Sequence, residues 1–338
     1  MPVSITQRAG VFSELPNLLR EKGADPVRVF AGSGIDPDTL DVQSRIPFEG
    51  VLQVLDRAGA MTGIPHIGLL VGLSFDLLKH HGPIAQLMMT ATTLKQALLD
   101  FVTWQPGYSS GAIVYLESFG DEIAFGYATF AAASPGNRML HDLVVGVGIR
   151  MIQILSHGRV KPIEIHFTCR EPDNLAEYRT LLPYPKQFNQ SRTCIFLEAE
   201  KMTAPLKDAD ERARARLLEQ IESAIWARPP TMTQRVNHSL RHVLHHDKPK
   251  MALVAAELGV HPRTLRRRLA DENTSFEALR DEMHFTVTCE LLEMTDLSVG
   301  EISAFLAFAS PGVLSESFRR WSGSSPSQWR KLSRQQVT

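Results

Sequence analysis

Three cysteines in 338 residues, Cys169, Cys194 and Cys289, are too few and too scattered for a disulfide frame or a thiolate zinc site, and they fit a reducing compartment. Long apolar runs are missing as well. Charged or turn residues interrupt every hydrophobic stretch well short of the ~20 residues that cross a bilayer, and the first residues lack a basic-then-apolar leader, so the expected location is the cytoplasm. Catalytic fingerprints are equally scarce. With no phosphate-binding loop, dinucleotide motif or nucleophile elbow, the sequence implies neither an enzyme nor a cofactor. An excess of one charge is also absent, the net being -1, which removes the simplest mark of a nucleic-acid binder.

The distribution of charge says more than its sum. Residues from Met232 onward hold 14 Lys and Arg against 12 Asp and Glu, whereas the preceding 231 hold 22 against 25. Four arginines, Arg263, Arg266, Arg267 and Arg268, fall within six residues, with no acidic residue between Gly259 and Leu269. They end a stretch, MALVAAELGVHPRTLRRRL, that reads as a helix, a glycine-centred turn and a second helix. A helix-turn-helix pair needs a small residue where its helices cross, a turn residue tolerant of positive φ and an apolar residue to bury. Ala255, Gly259 and Leu265 meet those needs at offsets of four and six, and Pro262 suits the first position of the second helix. With Leu265 and Leu269 inward, Arg263, Arg266 and Arg267 face base edges, where Arg pairs bidentately with guanine. Thr264 and Arg268 are placed for phosphates. Taken alone, the same stretch also reads as a solvated basic face. Ser303, Ala307 and Val313 repeat the two offsets 48 residues downstream of the first set. Two such units joined by one long helix would present reading helices to successive major grooves, about 34 Å apart.

Residues 1 to 110 read as mostly helical, over Leu15 to Arg20, Pro26 to Ala31, Pro47 to Ala60, Pro83 to Met89 and Thr93 to Thr103, with a short helix expected after the turn cluster GSGIDPDTLD. From Ala112 the period changes to that of strands. AIVYLES and EIAFGYATF form a hairpin, Asn137 to Leu155 a buried helix, and KPIEIHFTCR and TCIFLEA two further strands around a short helix near Leu175 to Leu182. Asp208 to Ala227 is amphipathic through Ala213, Leu217, Ile221 and Ala224, and reads as a connector or as a dimerisation helix, ended by Pro229 and Pro230. Beyond it everything is helical: Thr233 to His245, the pair above, Ser275 to Glu293, a helix capped by Ser298 and Glu301, and a last helix from Ser310 to Trp321. The expectation is an α+β regulatory domain followed by an all-α domain of two helix-turn-helix units joined by a long helix. The divisions are residues 1–205 for ligand sensing, 206–230 for the linker helix and 231–338 for DNA binding.

Other candidates are weaker. Trp104, Tyr108, Tyr127, Arg138 and His141 mix apolar and polar groups in the manner of an effector pocket, although each also fits as ordinary core or surface. His238 and His242 are four apart, with His245 and His246 nearby, but no Cys or carboxylate completes a ligand set, so no metal is expected. His80 and His81 before Gly82 and Pro83 read as a loop feature.

The span from Lys250 to Lys331 resembles the DNA-binding domain of the AraC/XylS family of bacterial transcription regulators. The resemblance lies in LVAAELGVHPRTLRRRLADENTSFEALRDE and LLEMTDLSVGEISAFLAFASPGVLSESFRRWSGSSPSQWR, above all the closing FRRWSGSSPSQWR. The front part, through GIDPDTLD, HHGPIAQLMMTATTLKQAL and PIEIHFTCREPDNLAEYR, resembles the arabinose-binding-type N-terminal domain of one branch of that family. The resemblance implies a sequence-specific regulator of promoter DNA, commonly a homodimer, that works with RNA polymerase and senses a small molecule. The first unit is expected to dominate affinity, with Gly312, Ser315, Arg319 and Arg320 as the DNA-contacting residues of the second reading helix. Five positions depart from the family pattern: His261 for a capping Ser, His284 and Thr288 for Arg and Ala, Ala307 for the turn Gly, and Glu316 for an Arg. Two rival readings are a degenerate regulator acting through protein contacts, suggested by Ala307 and Glu316, and an enzyme with a DNA-targeting tail.

Overall fold

The computed structural model describes residues 5–130, 136–173, 175–225, 231–243 and 249–336, with backbone alone at 222–225, 242–243 and 336. Pro229, Pro230, His245 and His246, and the side chains of Ala224 and His242, lie outside the described residues. No described helix is long and apolar enough to cross a membrane.

The N-terminal half opens with a small sheet that the sequence reading omitted: Thr6–Arg8 (β1) pairs antiparallel with Arg45–Pro47 (β2). Three-residue strands are too short to display a period. Pro47 therefore ends a strand and precedes the helix Phe48–Thr62 rather than lying inside it. The short helix expected after GSGIDPDTLD is absent, turns and then β2 following the cluster, and within the cluster no helix forms either. Asp36 instead accepts from the Asp38 amide and the Thr39 hydroxyl (3.0 and 3.1 Å), the local side-chain bonding that competes with a helical turn. The helices Ile67–Leu73 and Leu77–His81 are among those the sequence pattern did not reveal. The first, IGLLVGL, owes its place to its glycines: a Cβ on Gly72 would sit 2.1 Å from the Leu143 carbonyl oxygen, so only glycine permits this crossing with Asn137–Leu155.

The hairpin forms as read. Ala112–Phe119 (β3) pairs with Glu122–Thr129 (β4), and the turn carries Gly120 at φ +60°. Glu164–His166 (β5), Lys186–Gln187 (β6) and Thr193–Glu198 (β7) complete a five-stranded sheet in the order β3-β4-β7-β5-β6, with β5 and β6 parallel and the other pairs antiparallel. Asn137–Leu155 packs on one face of it, against β4 and β7. Glu211–Ile225 lies against the helix Pro83–Met89, burying Ile221, while Arg214 donates twice to Asp100 at 2.5 and 2.6 Å. Those contacts fasten it to the regulatory domain.

The C-terminal half holds two small cores strung on one helix. Phe276–Met294 contributes Phe276 and Leu279 to a core with Val254, Ala255, Leu265 and Leu269. Its later turns contribute Met283, Val287 and Leu291 to a second core with Ile302, Leu314 and Phe318. The helix opening at Pro311 runs to Ser322, and a further helix, Pro326–Gln336, follows it. Trp329 of that last helix fastens it to the long one by donating to Glu293 at 2.8 Å. The protein is thus an α+β domain followed by an all-α domain of two helix-turn-helix units.

Candidate nucleic-acid interface and effector cavity

In the first unit Met251–Glu257 leads through Gly259, at φ +66°, to the reading helix Pro262–Asp271. His261 caps that helix: its Nδ1 accepts from the Arg263 amide at 3.2 Å, doing the work of the serine it replaces. Leu265 and Leu269 are fully buried, which fixes the helix's rotation and leaves Arg263, Arg266, Arg267 and Arg268 exposed, with Thr264 half-buried. Among the described residues none of these four arginines carries an ion pair. Charge is held out toward solvent on a rigid seat.

The second unit differs in register. Ala307 adopts the left-handed conformation at φ +53°, so the turn is made as a glycine would make it, at a cost on the order of 1 kcal/mol. Val313, expected inside as the counterpart of Leu265, is 41% exposed, while the adjacent Leu314 is fully buried. The cause is one extra turn residue: Ser310 caps its helix three positions after Ala307, whereas His261 follows Gly259 by two. Counted from the caps, Leu314 and Phe318 stand where Leu265 and Leu269 do, and Ser315 and Glu316 stand where Arg266 and Arg267 do. Gly312, Glu316, Arg319 and Arg320 are exposed, and Ser315 is half-buried with its hydroxyl donating to the Pro311 carbonyl at 2.8 Å. Arg320 reaches back to Asp281 at 3.3 Å. The departures on the long helix are internal, with Thr288 donating to the His284 carbonyl at 2.7 Å and the His284 ring packing on Phe308.

A cavity of about 150 Å³ opens between the sheet and Asn137–Leu155. Of the five residues read as an effector pocket, Tyr108 and Tyr127 line it. Trp104 ends its helix outside the lining. Arg138 stands apart beside Tyr178 and Asp142, where Tyr178 donates to the Asp142 carboxylate at 2.6 Å. Burial pushes that carboxyl up to about 6, although the Tyr178 hydroxyl bond opposes the shift. Arg8, His81 and Gln105 line the cavity and were not read as site residues. His80 and His81 belong to a packed helix and not to a loop. No motif marks these residues, since Arg8 and His81 meet only through tertiary folding.

His141 lies directly behind the cavity wall. Its Nδ1 is 2.7 Å from the hydroxyl of Thr193, a lining residue whose oxygen also accepts from the Thr168 amide at 3.0 Å. Nε2 faces Glu290 of the long C-terminal helix at 3.3 Å, close but not aligned as a hydrogen bond. Arg241 donates to the other Glu290 oxygen at 2.8 Å. Burial alone would raise the Glu290 carboxyl, but Arg241 and His141 outweigh it and hold it below the usual range. Asp296 adds a second link between the halves, to Arg170 at 3.1 Å. Among the described residues no cluster of His, Cys, Asp and Glu is arranged to hold a metal.

Residues 23–206 match the arabinose-binding domain of AraC transcription regulators, N-terminal, and residues 254–332 match a helix-turn-helix domain. The transcriptional regulator VirS of Mycobacterium tuberculosis is 24% identical over 317 residues, covering 93% of each chain. The ornithine utilization regulator of Pseudomonas aeruginosa is 22% identical over 331 residues, covering 94% of each. The crystal structure of the transcriptional regulator CdpR from the same organism aligns over 95% of this chain and 97% of its own, at 19% identity and a TM-score of 0.47. The family matches and these sequence relatives are all of transcription regulators. With its effector-binding front domain and its paired helix-turn-helix units, this chain is a sequence-specific DNA-binding regulator and belongs to the AraC family of transcription regulators.

Proposed function

We propose that the chain reads promoter DNA chiefly through its first reading helix, with Arg263, Arg266 and Arg267 on base edges and Thr264 and Arg268 on phosphates. One observation carries this: four exposed arginines, without ion pairs among the described residues, project from a helix whose rotation Leu265 and Leu269 fix. Such guanidiniums surrender no internal partner on meeting guanine or phosphate. In the second unit Gly312 permits close backbone approach, and Ser315, Arg319 and Arg320 supply phosphate contacts, with Arg320 first leaving Asp281. The test is selection of duplexes from a randomised pool by the full-length protein, followed by binding isotherms. One preferred motif and a salt-sensitive affinity are expected. Failure to retain any duplex at low salt would overturn this reading in favour of action through protein contacts.

The effector's signal travels, in this proposal, from the cavity through Thr193 and His141 to Glu290 and Arg241, the groups that seat the long helix joining the two units. A ligand that shifts Thr193 re-aims a buried ion pair, and buried pairs are strongly sensitive to geometry. Thr193→Val should leave DNA binding intact while removing its response to effector, as read by isotherms with and without ligand. Homodimerisation, engagement of RNA polymerase and residence in the cytoplasm belong to the same proposal. Sedimentation velocity, transcription with purified polymerase and cell fractionation test them in turn.

A further inference from the structure

The size of the cavity and the character of its wall limit what it can hold. A volume of about 150 Å³ matches cavities that accept a benzene-sized guest, far below what a nucleotide requires. Much of the wall is apolar, with Phe125 and Ile195 from the sheet and Leu143, Val147 and Met151 from the long buried helix. A sugar, with a hydroxyl on nearly every carbon, would leave several of them unpaired against such a surface.

The polar part of the wall gathers around Tyr108. The Arg8 guanidinium lies 4.2 Å above the Tyr108 ring, and the His81 ring stands 5.5 Å from it, stacked on Phe101 at 4.9 Å. The Tyr108 hydroxyl is committed to the His81 carbonyl at 2.6 Å. Arg8 Nε, both His81 ring nitrogens and Gln105 Oε1 are shielded from solvent and have no hydrogen-bond partner among the described residues. Gln105 itself is only 5% exposed. Four unpaired polar atoms in one wall are costly unless something pairs them.

The charge there is unbalanced in one direction. Arg45 lies beside Arg8, donating to the Tyr108 carbonyl at 3.0 Å, and its guanidinium is disfavoured by burial and then by Arg8. Neither arginine has a carboxylate ion pair among the described residues. Glu14 is occupied by Lys79 and His80, and the exposed Asp41 accepts from the amides of Gln43 and Ser44. Burial holds His81 down to about 4, so at neutral pH it offers one N–H rather than a charge.

We infer that the cavity binds a compact, largely apolar monocarboxylate of about six to eight carbons in all, its carboxylate held by Arg8 and His81 and its body packed on Phe125, Leu143 and Val147. Gln105 completes the polar end, since its amide can be turned to donate through its nitrogen. The inference rests on the effector reading proposed above and narrows it from any small molecule to one class.

Calorimetric titration of the full-length protein with hexanoate, phenylacetate, hexan-1-ol and L-arabinose tests it. Both acids should bind, hexan-1-ol about tenfold or more weakly and arabinose not at all. Arg8→Met should weaken acid binding by about tenfold or more and leave hexan-1-ol unchanged, the retained alcohol also showing that the cavity is folded. Gln105→Leu, a smaller lesion, should weaken the acids in the same sense. Arabinose binding as tightly as the acids, or acid affinity indifferent to both substitutions, overturns the inference. Isotherms with selected DNA separate the two readings. An acid that binds through Arg8 without changing DNA affinity keeps the ligand class and sinks the effector reading; a compound that changes DNA affinity independently of Arg8 does the reverse.

Discussion

The two helix-turn-helix units share a plan and differ in what they offer DNA. In the first, a glycine turn and two buried leucines leave arginines at the fifth and sixth positions after the cap; in the second those positions hold Ser315 and Glu316. Cations of the second reading helix are confined to its last turn, at Arg319 and Arg320. Its turn also holds an alanine in left-handed geometry. The pair shows that seating a helix and arming it are separate properties of a sequence: Leu314 and Phe318 seat the second helix as firmly as Leu265 and Leu269 seat the first.

The largest effect should come from the register. Leu314→Ala removes a fully buried side chain and should cost about 2–5 kcal/mol in urea unfolding. Val313→Ala should stay within about 0.5 kcal/mol. Equal costs would break the one-residue offset between the units.

Acid should loosen the second unit through His284. Burial, reinforced by Arg280 and opposed by Asp281, lowers this histidine to about 4, and its Nε2 has no partner among the described residues. Between about pH 6.5 and 4 the unfolded chain takes up the proton first, so stability is complete above that window and falls as pH drops through it. The loss is on the order of 3 kcal/mol. Asp142 acts oppositely, since its raised carboxyl favours the folded state as pH falls from about 6. The quantity to measure is therefore the difference between the protein and His284→Phe, whose unfolding should have lost that slope.

On DNA the asymmetry should appear directly. Arg267→Ala and Arg263→Ala should each cost about 1–3 kcal/mol and relax preference at one base pair, whereas Arg319→Ala should weaken all duplexes alike. Unchanged gel shifts for both first-unit variants would reassign base reading to the second unit. Ala307→Gly should stabilise the chain by about 1 kcal/mol by relieving the turn, and a destabilised variant would show that the alanine methyl packs usefully. Smallest is Glu316→Arg, expected to steepen the dependence of log affinity on log salt by about one; an unaltered slope would place position 316 away from phosphate.

What could be read in advance followed the length scale of the signal. Phe276–Met294 and Asn137–Leu155 span about five turns each, enough for apolar spacing and caps such as Ser275 to speak for themselves. The reading helix was legible because its arginines, Pro262 and two leucines lie within one short stretch. The second unit misled by one residue because Val313 and Leu314 are both apolar, and only the cap at Ser310 decides between them. Strands of two or three residues, as in β1, β2 and β6, leave no period to find. The cavity was least legible: Tyr108 and Tyr127 could be guessed by type, but Arg8, His81 and Gln105 come together only when β1 pairs with β2 and lies alongside Tyr108. Glu290 looks like one more surface acid of a long helix until its two partners surround it.

That carboxylate also bears on how such chains are recombined. Because Glu290 is held by His141 from the front half and by Arg241 from the back, the halves are not interchangeable modules, despite matching separate families. A chimera that grafts a relative's DNA-binding half onto residues 1–230 inherits a buried imidazole facing whatever occupies the corresponding position. Only donors with an acid there, and a cation to share it, should yield hybrids that still answer to the front half.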